Sequence, residues 1–287
     1  MVGEIFERTV VDAPAPRSGS LKARIVSGIV LAAAALACNA MGGLWFVGLV
    51  SFVVVAMAWE WAQITRGPSG FDAALIISAA AVVLSAAATH MNAFALALGL
   101  LCLGAVSILA FVPPGRRVFS VAGIFYIGLP TVALIWFRAD GALGVYAVLF
   151  IFVVVWCTDT FAFGSGKLIG GPRLWPSLSG QKTWAGLLGG VFMAGVAAGL
   201  FAHFVPGADP ISLACLGTAL GLLSQAGDLL ESAIKRYFGV KHASNLIPGH
   251  GGVMDRMDGI VGAVAGAALF ALVMEPGAPA RALLLLQ

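Results

Sequence analysis

Asp228, Glu231, Ser232 and Lys235 stand at i, i+3, i+4 and i+7, a spacing that stacks all four on one face of a helix. They close an apolar run, where an ionisable side chain is costly unless it pairs, meets water or binds something. Further on come Pro248, Gly249, His250, Gly251 and Gly252, then Asp255, Arg256 and Asp258, just before another apolar run. Glycines around a histidine permit a tight backbone path whose N–H groups can converge on phosphate oxygens. Helix capping explains one aspartate of the pair Asp255 and Asp258 well and two poorly. If these carboxylates face Asp228, the three form a hard oxygen site suited to Mg²⁺, which binds through one or two carboxylates, water and substrate phosphates. Lys235, Arg236, Lys241 and Arg256 then counter phosphate charge. Two plainer accounts stand beside this one: an internal i,i+4 ion pair between Glu231 and Lys235, and a structural role for His250. The ion pair leaves Asp228, one turn deeper, unexplained.

A third polar group begins at Asp159, near the end of another apolar run, and continues through Gly164, Gly166 and Lys167 to Ser179, Gln181, Lys182, Thr183 and Trp184. The run GSGK lacks the GxxxxGK[ST] pattern of a P-loop. Lys182 and Thr183 open a helix, and a helix N-terminus favours negative charge. Lys167 and Arg173 are explained equally well as ordinary basic residues of a loop over 164–183.

The elements that must position these groups are set by composition. The 287 residues are 60% hydrophobic and 10% charged, with mean hydropathy +1.00. Soluble domains carry about 25% charged residues, so the expected class is an all-α polytopic membrane protein. A formal net charge of +3 gives no reason to expect a nucleic-acid partner. Apolar windows near 25–40, 43–62, 73–88, 93–112, 118–137, 143–163, 184–205, 211–230 and 259–274 give about nine transmembrane helices. With the N-terminus inside, fourteen of the 16 Lys and Arg residues fall on the cytoplasmic side, leaving Arg138 and Arg281 outside. Both long polar loops, 164–183 and 235–258, are then cytoplasmic. Residues 1–24 read as a cytoplasmic tail without the pattern of a cleavable signal peptide, 25–275 as one transmembrane helical domain, and 276–287 as a short C-terminal tail.

Cys38, Cys102, Cys157 and Cys215 lie in apolar runs without CxxC spacing and read as small core residues. Gly189, Gly190, Gly195 and Gly199 suit close helix packing in lipid. Glu60, between Trp59 and Trp61, reads as an interfacial anchor at the inner end of the second span.

In order and spacing, Ser232, Lys235, Arg236, Lys241, Pro248, His250, Gly251, Gly252, Asp255, Arg256 and Asp258 resemble the signature of the phosphatidate cytidylyltransferases, the CDP-diacylglycerol synthases. Asp159 with Thr160, and Lys182, Thr183, Trp184 and Gly186, look like two upstream motifs of that family. The resemblance covers roughly 156–262; the N-terminal half agrees in hydropathy and in the pair Glu60 and Trp61. The chain departs from the family pattern at Lys241-His242, where Lys-Asp is usual, and at SGQKTWAG, where the family has a motif close to SPKKTWEG, so that Gly180, Gln181 and Ala185 replace a Pro, a Lys and a Glu.

The resemblance implies Mg²⁺-dependent transfer of a cytidylyl group from CTP to phosphatidic acid, giving CDP-diacylglycerol and pyrophosphate. It implies that Asp228, Asp255 and Asp258 hold the metal and act catalytically with Lys235 and Arg256. Asp159, Lys182, Thr183, Ser232, Arg236, Lys241, His250, Gly251 and Gly252 then bind substrate. The expected setting is the lipid bilayer of a bacterial inner membrane, with the site cytoplasmic and a homodimer as one oligomeric option. Two alternatives are separable from this reading. One is CTP-dependent activation of another lipid phosphate, or a degenerate paralogue. The other is a secondary transporter, whose polar groups would lie near the bilayer midplane on broken helices.

Overall fold

Long apolar stretches without water must satisfy every backbone group internally, and helices do so within one segment. The computed structural model describes residues 21–67, 72–247 and 251–286 and is built accordingly. Its helices are α1 (Leu21–Met41), α2 (Gly43–Arg66), α3 (Ala73–His90), α4 (Phe94–Ser107), α5 (Arg117–Arg138), α6 (Gly144–Ile169), α7 (Trp184–Phe201), α8 (Pro210–Tyr237), α9 (Met254–Met274) and α10 (Pro279–Leu285). Each of the nine apolar windows falls on one of α1–α9, which bears out the all-α polytopic class. Among the described residues, seven helices are long and apolar enough to cross a membrane, while Ile25–Met41 and Phe94–Ala110 are shorter apolar stretches. The exact number of crossings is therefore not fixed at nine by length alone.

The chain divides into two compact units. Among the described residues, one comprises those within 21–139 and 237–256, and so holds α1–α5 and the segment that leads into and begins α9. In it Trp61 is buried, donates from Nε1 to the Phe119 carbonyl at 2.9 Å and packs on Tyr126 with ring centroids 5.1 Å apart. Glu60 is fully buried as well. The reading of Glu60 as an interfacial anchor gives way to that of an acid buried within this unit. Asp72 caps α3 by accepting from Leu75 N at 2.7 Å, and also holds Arg66 of α2 at 3.1 Å.

The other unit comprises Asp140–Arg236 and Met257–Gln287. Here α6 and α7 meet backbone to backbone: a Cβ at Gly190 would lie 2.6 Å from the Thr158 carbonyl, and one at Gly186 would lie 2.8 Å from that of Ala162. Small residues are what permit this approach in an apolar bundle. Two expectations change in this unit. The stretch 164–183 is only partly loop, because α6 runs on to Ile169 and the rest folds as an antiparallel hairpin of β1 (Arg173–Trp175) and β2 (Ser179–Thr183). The C-terminal tail contains α10, whose Ala280, Ala282, Leu283 and Leu284 are buried. Thr183 ends β2 and caps α7, its Oγ1 accepting from Gly186 N at 3.0 Å. Asp209 does the same for α8 through Ser212 N at 2.7 Å, and hydrogen bonds from the Ser212 side chain and backbone hold its carboxyl below the usual range.

Candidate active site

In the unit holding α6–α10, acids from three helices converge. The Asp258 carboxylate on α9 lies within electrostatic reach of Asp228 and Glu231 on α8 and of Asp159 on α6. The approach is set by glycines. A Cβ at Gly227 would strike the Asp258 carbonyl oxygen, and one at Gly262 would strike that of Leu223, so α8 and α9 cross at nearly bare backbone beside the acids. Lys182, brought in by β2, places Nζ 2.7 Å from Asp228 Oδ2 and donates to Gln225 Oε1 at 3.1 Å. Gln225 is buried and donates from Nε2 to Asp159 Oδ1 at 3.3 Å. One amide thus joins the α6 acid to the lysine that faces the α8 acid.

The rest of the α8 stripe is arranged along the helix. Lys235 Nζ lies 2.6 Å from Glu231 Oε2, and both side chains are buried, so the i,i+4 pair forms. Ser232 Oγ reaches Asp228 Oδ1 only at 3.5 Å, the weak limit of a hydrogen bond. Arg236 Nε points to the Leu178 carbonyl of the hairpin turn at 3.4 Å.

The unit holding α1–α5 carries the loop before α9. Ile247 and Gly251 form an isolated antiparallel bridge, with N–H to carbonyl distances of 2.9 and 3.2 Å. Gly251 has φ of 88°, a conformation suited to glycine, with Asp255 Oδ2 3.1 Å from where its Cβ would stand. Asp255 Oδ2 accepts from Gly252 N at 3.0 Å. Lys241, His242 and Arg256 are exposed. His250, with Pro248 and Gly249, lies outside the described residues.

Two residues here were not among the expected site residues. Gln225 lies three positions before Asp228 and extends its helical stripe by one turn, a signal the spacing did contain. Glu60 accepts from Val253 N at 2.8 Å, from Met254 N at 2.6 Å and from Ser244 Oγ. An acid near the end of an apolar span between two tryptophans implied a partner, though not which one.

Among the described residues, no group of three or more His, Cys, Asp or Glu side chains stands close enough to hold a metal unaided. The chemistry of the donors is nevertheless of the kind Mg²⁺ takes. Asp228 and Asp258 offer hard carboxylate oxygens, a cation already stands against Asp228 as the Lys182 ammonium, and Mg²⁺ characteristically takes one or two carboxylates and completes its shell with water and phosphate.

Residues 22–274 match the Cytidylyltransferase family over nearly the whole chain. The chain belongs to that family. Its relatives include the phosphatidate cytidylyltransferase of Brucella suis biovar 1 (strain 1330), 36% identical over 261 residues, which are 91% of this chain and 97% of the relative. The protein of that name from Brucella abortus biovar 1 (strain 9-941) is 36% identical over 258 residues, 90% and 96% of the two chains. A more distant relative, the phosphatidate cytidylyltransferase of Staphylococcus haemolyticus (strain JCSC1435), is 35% identical over 141 residues, 49% of this chain and 53% of its own length. The residues built into the polar cluster lie inside the matched region.

Proposed function

We propose that the protein is a phosphatidate cytidylyltransferase, an integral membrane enzyme that transfers the cytidylyl group of CTP to phosphatidic acid. The observation that carries this reading is the convergence of Asp159, Asp228 and Asp258 with Lys182 in one cluster, in a chain that matches relatives of that name along more than nine-tenths of its length. A transporter would instead distribute such groups along a path on broken helices.

In the reaction, a phosphate oxygen of phosphatidic acid attacks the α-phosphorus of CTP. A new P–O bond forms, the bond between the α-phosphorus and the bridging oxygen breaks, and pyrophosphate leaves with that oxygen and its electron pair. The attacking oxygen is ionised at neutral pH, so no general base is required. Catalysis then rests on positioning and on charge neutralisation of the phosphates. Asp228 and Asp258, with Asp255 three residues earlier on α9, would hold Mg²⁺, which supplies charge neutralisation at the phosphates when bound. Lys182 holds fixed positive charge beside Asp228, and Gln225 keeps its ammonium there while tethering Asp159. Arg236, Arg256 and Lys241 add cationic donors for phosphate oxygens. Gly251 and Gly252, with His250, would meet phosphate, Ser232 would add a hydroxyl beside Asp228, and Thr183 caps the start of α7. Lys235, paired with Glu231, fixes the α8 stripe.

The distribution of Lys and Arg supports a cytoplasmic N-terminus and site, and in a bacterial inner membrane CTP would then arrive from solution and lipid from the bilayer. The deciding experiment is pyrophosphate release by the purified protein in mixed micelles with CTP, Mg²⁺ and phosphatidic acid. Release that needs all three, is abolished by chelation and restored by Mg²⁺, and falls by about 10³ in Asp228→Asn and Asp258→Asn supports the assignment. Turnover of a polyprenyl phosphate in preference to phosphatidic acid would replace the lipid substrate. Cross-linking in native membranes tests the homodimer.

A further inference from the structure

Glu60 is the buried acid that the chemistry above does not use. Its carboxylate accepts from Val253 N at 2.8 Å, from Met254 N at 2.6 Å and from Ser244 Oγ, and both its oxygens sit against Gly252, where a Cβ would lie 2.9 and 3.0 Å from them. These contacts fall on the two ends of one loop, Ser244 on the way in and 252–254 on the way out. Ser244 is itself tied down, since its Oγ accepts from Leu246 N at 3.1 Å. Met254 is the first residue of α9 and Asp255 and Arg256 follow in the same turn. A carboxylate that accepts the first N–H groups of a helix satisfies donors that have no partner within the helix, and its charge complements the positive end of the dipole.

We infer that Glu60 is a positioning residue for the reaction: it ties Ser244 to the first turn of α9, and so sets where Asp255, Arg256 and the glycines Gly251 and Gly252 stand. The assignment rests on the cytidylyltransferase reading for its effect on turnover, but not for its effect on the loop. The requirement is for two acceptor oxygens at once. A glutamine offers one carbonyl oxygen and turns an NH₂ group toward an N–H donor, so Glu60→Gln loses one of the two main-chain bonds while filling the same space. Hydrogen bonds from main-chain N–H groups to a carboxylate are also stronger than those to a neutral oxygen.

The test uses the full-length protein in detergent micelles, comparing wild type, Glu60→Gln and Ser244→Ala by hydrogen–deuterium exchange, thermal unfolding and CTP-dependent pyrophosphate release. Faster exchange in Glu60→Gln confined to 244–256, an unfolding temperature close to wild type and a fall in kcat of roughly 10- to 100-fold are the expected results. Unchanged exchange and turnover overturn the inference, as does faster exchange spread evenly over the chain. If Glu60→Gln does not fold, Ser244→Ala decides, because it removes one donor and leaves the carboxylate bonded to Val253 and Met254. Faster exchange limited to 244–256 then supports the inference, and wild-type exchange rejects it. Wild-type protein inactive on CTP and phosphatidic acid would overturn the functional reading, while the exchange arms would still decide the role of Glu60.

Discussion

Lys182 reaches Asp228 at 2.7 Å and Gln225 at 3.1 Å, so that a β-hairpin supplies the cation for an acid on a transmembrane helix. Both members of the pair are partly shielded, with side-chain exposures of 18% and 30%. Lys182→Met leaves Asp228 facing Asp258 without its compensating charge and removes a preorganised cation from the proposed phosphate site. Expected is a fall in kcat/KM of about 10²- to 10³-fold, the range for loss of one electrostatic donor at a reacting centre. Lys182→Arg restores the charge but not a compact ammonium shared between an amide and a carboxylate, so it recovers only part of the rate. Steady-state kinetics on the three proteins check this.

Gln225 is the amide on which two charged groups depend. Replacing it by Leu keeps the bulk within α8 and removes both the acceptor for Lys182 and the donor to Asp159. The predicted cost in kcat/KM is about 10- to 150-fold, since a hydrogen bond to a charged group contributes about 1.5–3 kcal/mol. Gln225→Glu is expected to be worse than Gln225→Leu, because it sets a further carboxylate beside Asp159. The order of the two variants is the measurement that matters.

Legibility of this site in the sequence follows from how each residue is placed. The face carrying Asp228, Glu231, Ser232 and Lys235 could be read directly, because helical periodicity links residues one turn apart whatever the tertiary fold. Gln225 shares that face, but an amide lacks the formal charge that marks its neighbours. At the end of α6, Gly164, Ser165 and Gly166 weaken a helix by propensity and predict loop, whereas packing of Gly166 against Thr183 and Gly186 sustains the helix. β1 and β2 are 3 and 5 residues long, too short for alternation to declare itself. Glu60 was the hardest case: its partner Val253 lies 193 positions away, and no local pattern encodes that pairing.

The buried pair of Glu231 and Lys235 yields a prediction about stability. Their side-chain exposures are 1% and 11%, so removing one partner takes a compensating charge 2.6 Å away from a desolvated group. Lys235→Leu is expected to lower the unfolding free energy by about 3–5 kcal/mol, and Glu231→Leu/Lys235→Leu to recover most of that loss, because two apolar side chains of similar volume leave no charge to desolvate. Thermal unfolding in a single detergent, with both variants and wild type measured together, is the appropriate check. A double variant as unstable as the single one would show that the pair has further partners of equal weight.

The last prediction concerns the helix crossing that brings Asp228 and Asp258 together. Gly227 and Gly262 face each other there, with the Gly262 Cα 3.1 Å from where a Cβ at 227 would stand and the Asp258 carbonyl oxygen nearer still. Gly227→Ala must push α8 and α9 apart, and overpacking of this kind typically costs about 1–3 kcal/mol. Activity should suffer more than stability, since a displacement of about 1 Å at a reacting centre can cost on the order of 10² in rate. Gly48 in α2 provides the comparison, because nothing lies within 4 Å of a Cβ there. Gly48→Ala is expected to keep wild-type turnover and to gain up to about 1 kcal/mol from helix propensity alone. If Gly227→Ala instead matched Gly48→Ala in both unfolding temperature and kcat, the acids would not depend on this crossing, and their spacing would have to be set by the Lys182 and Gln225 contacts.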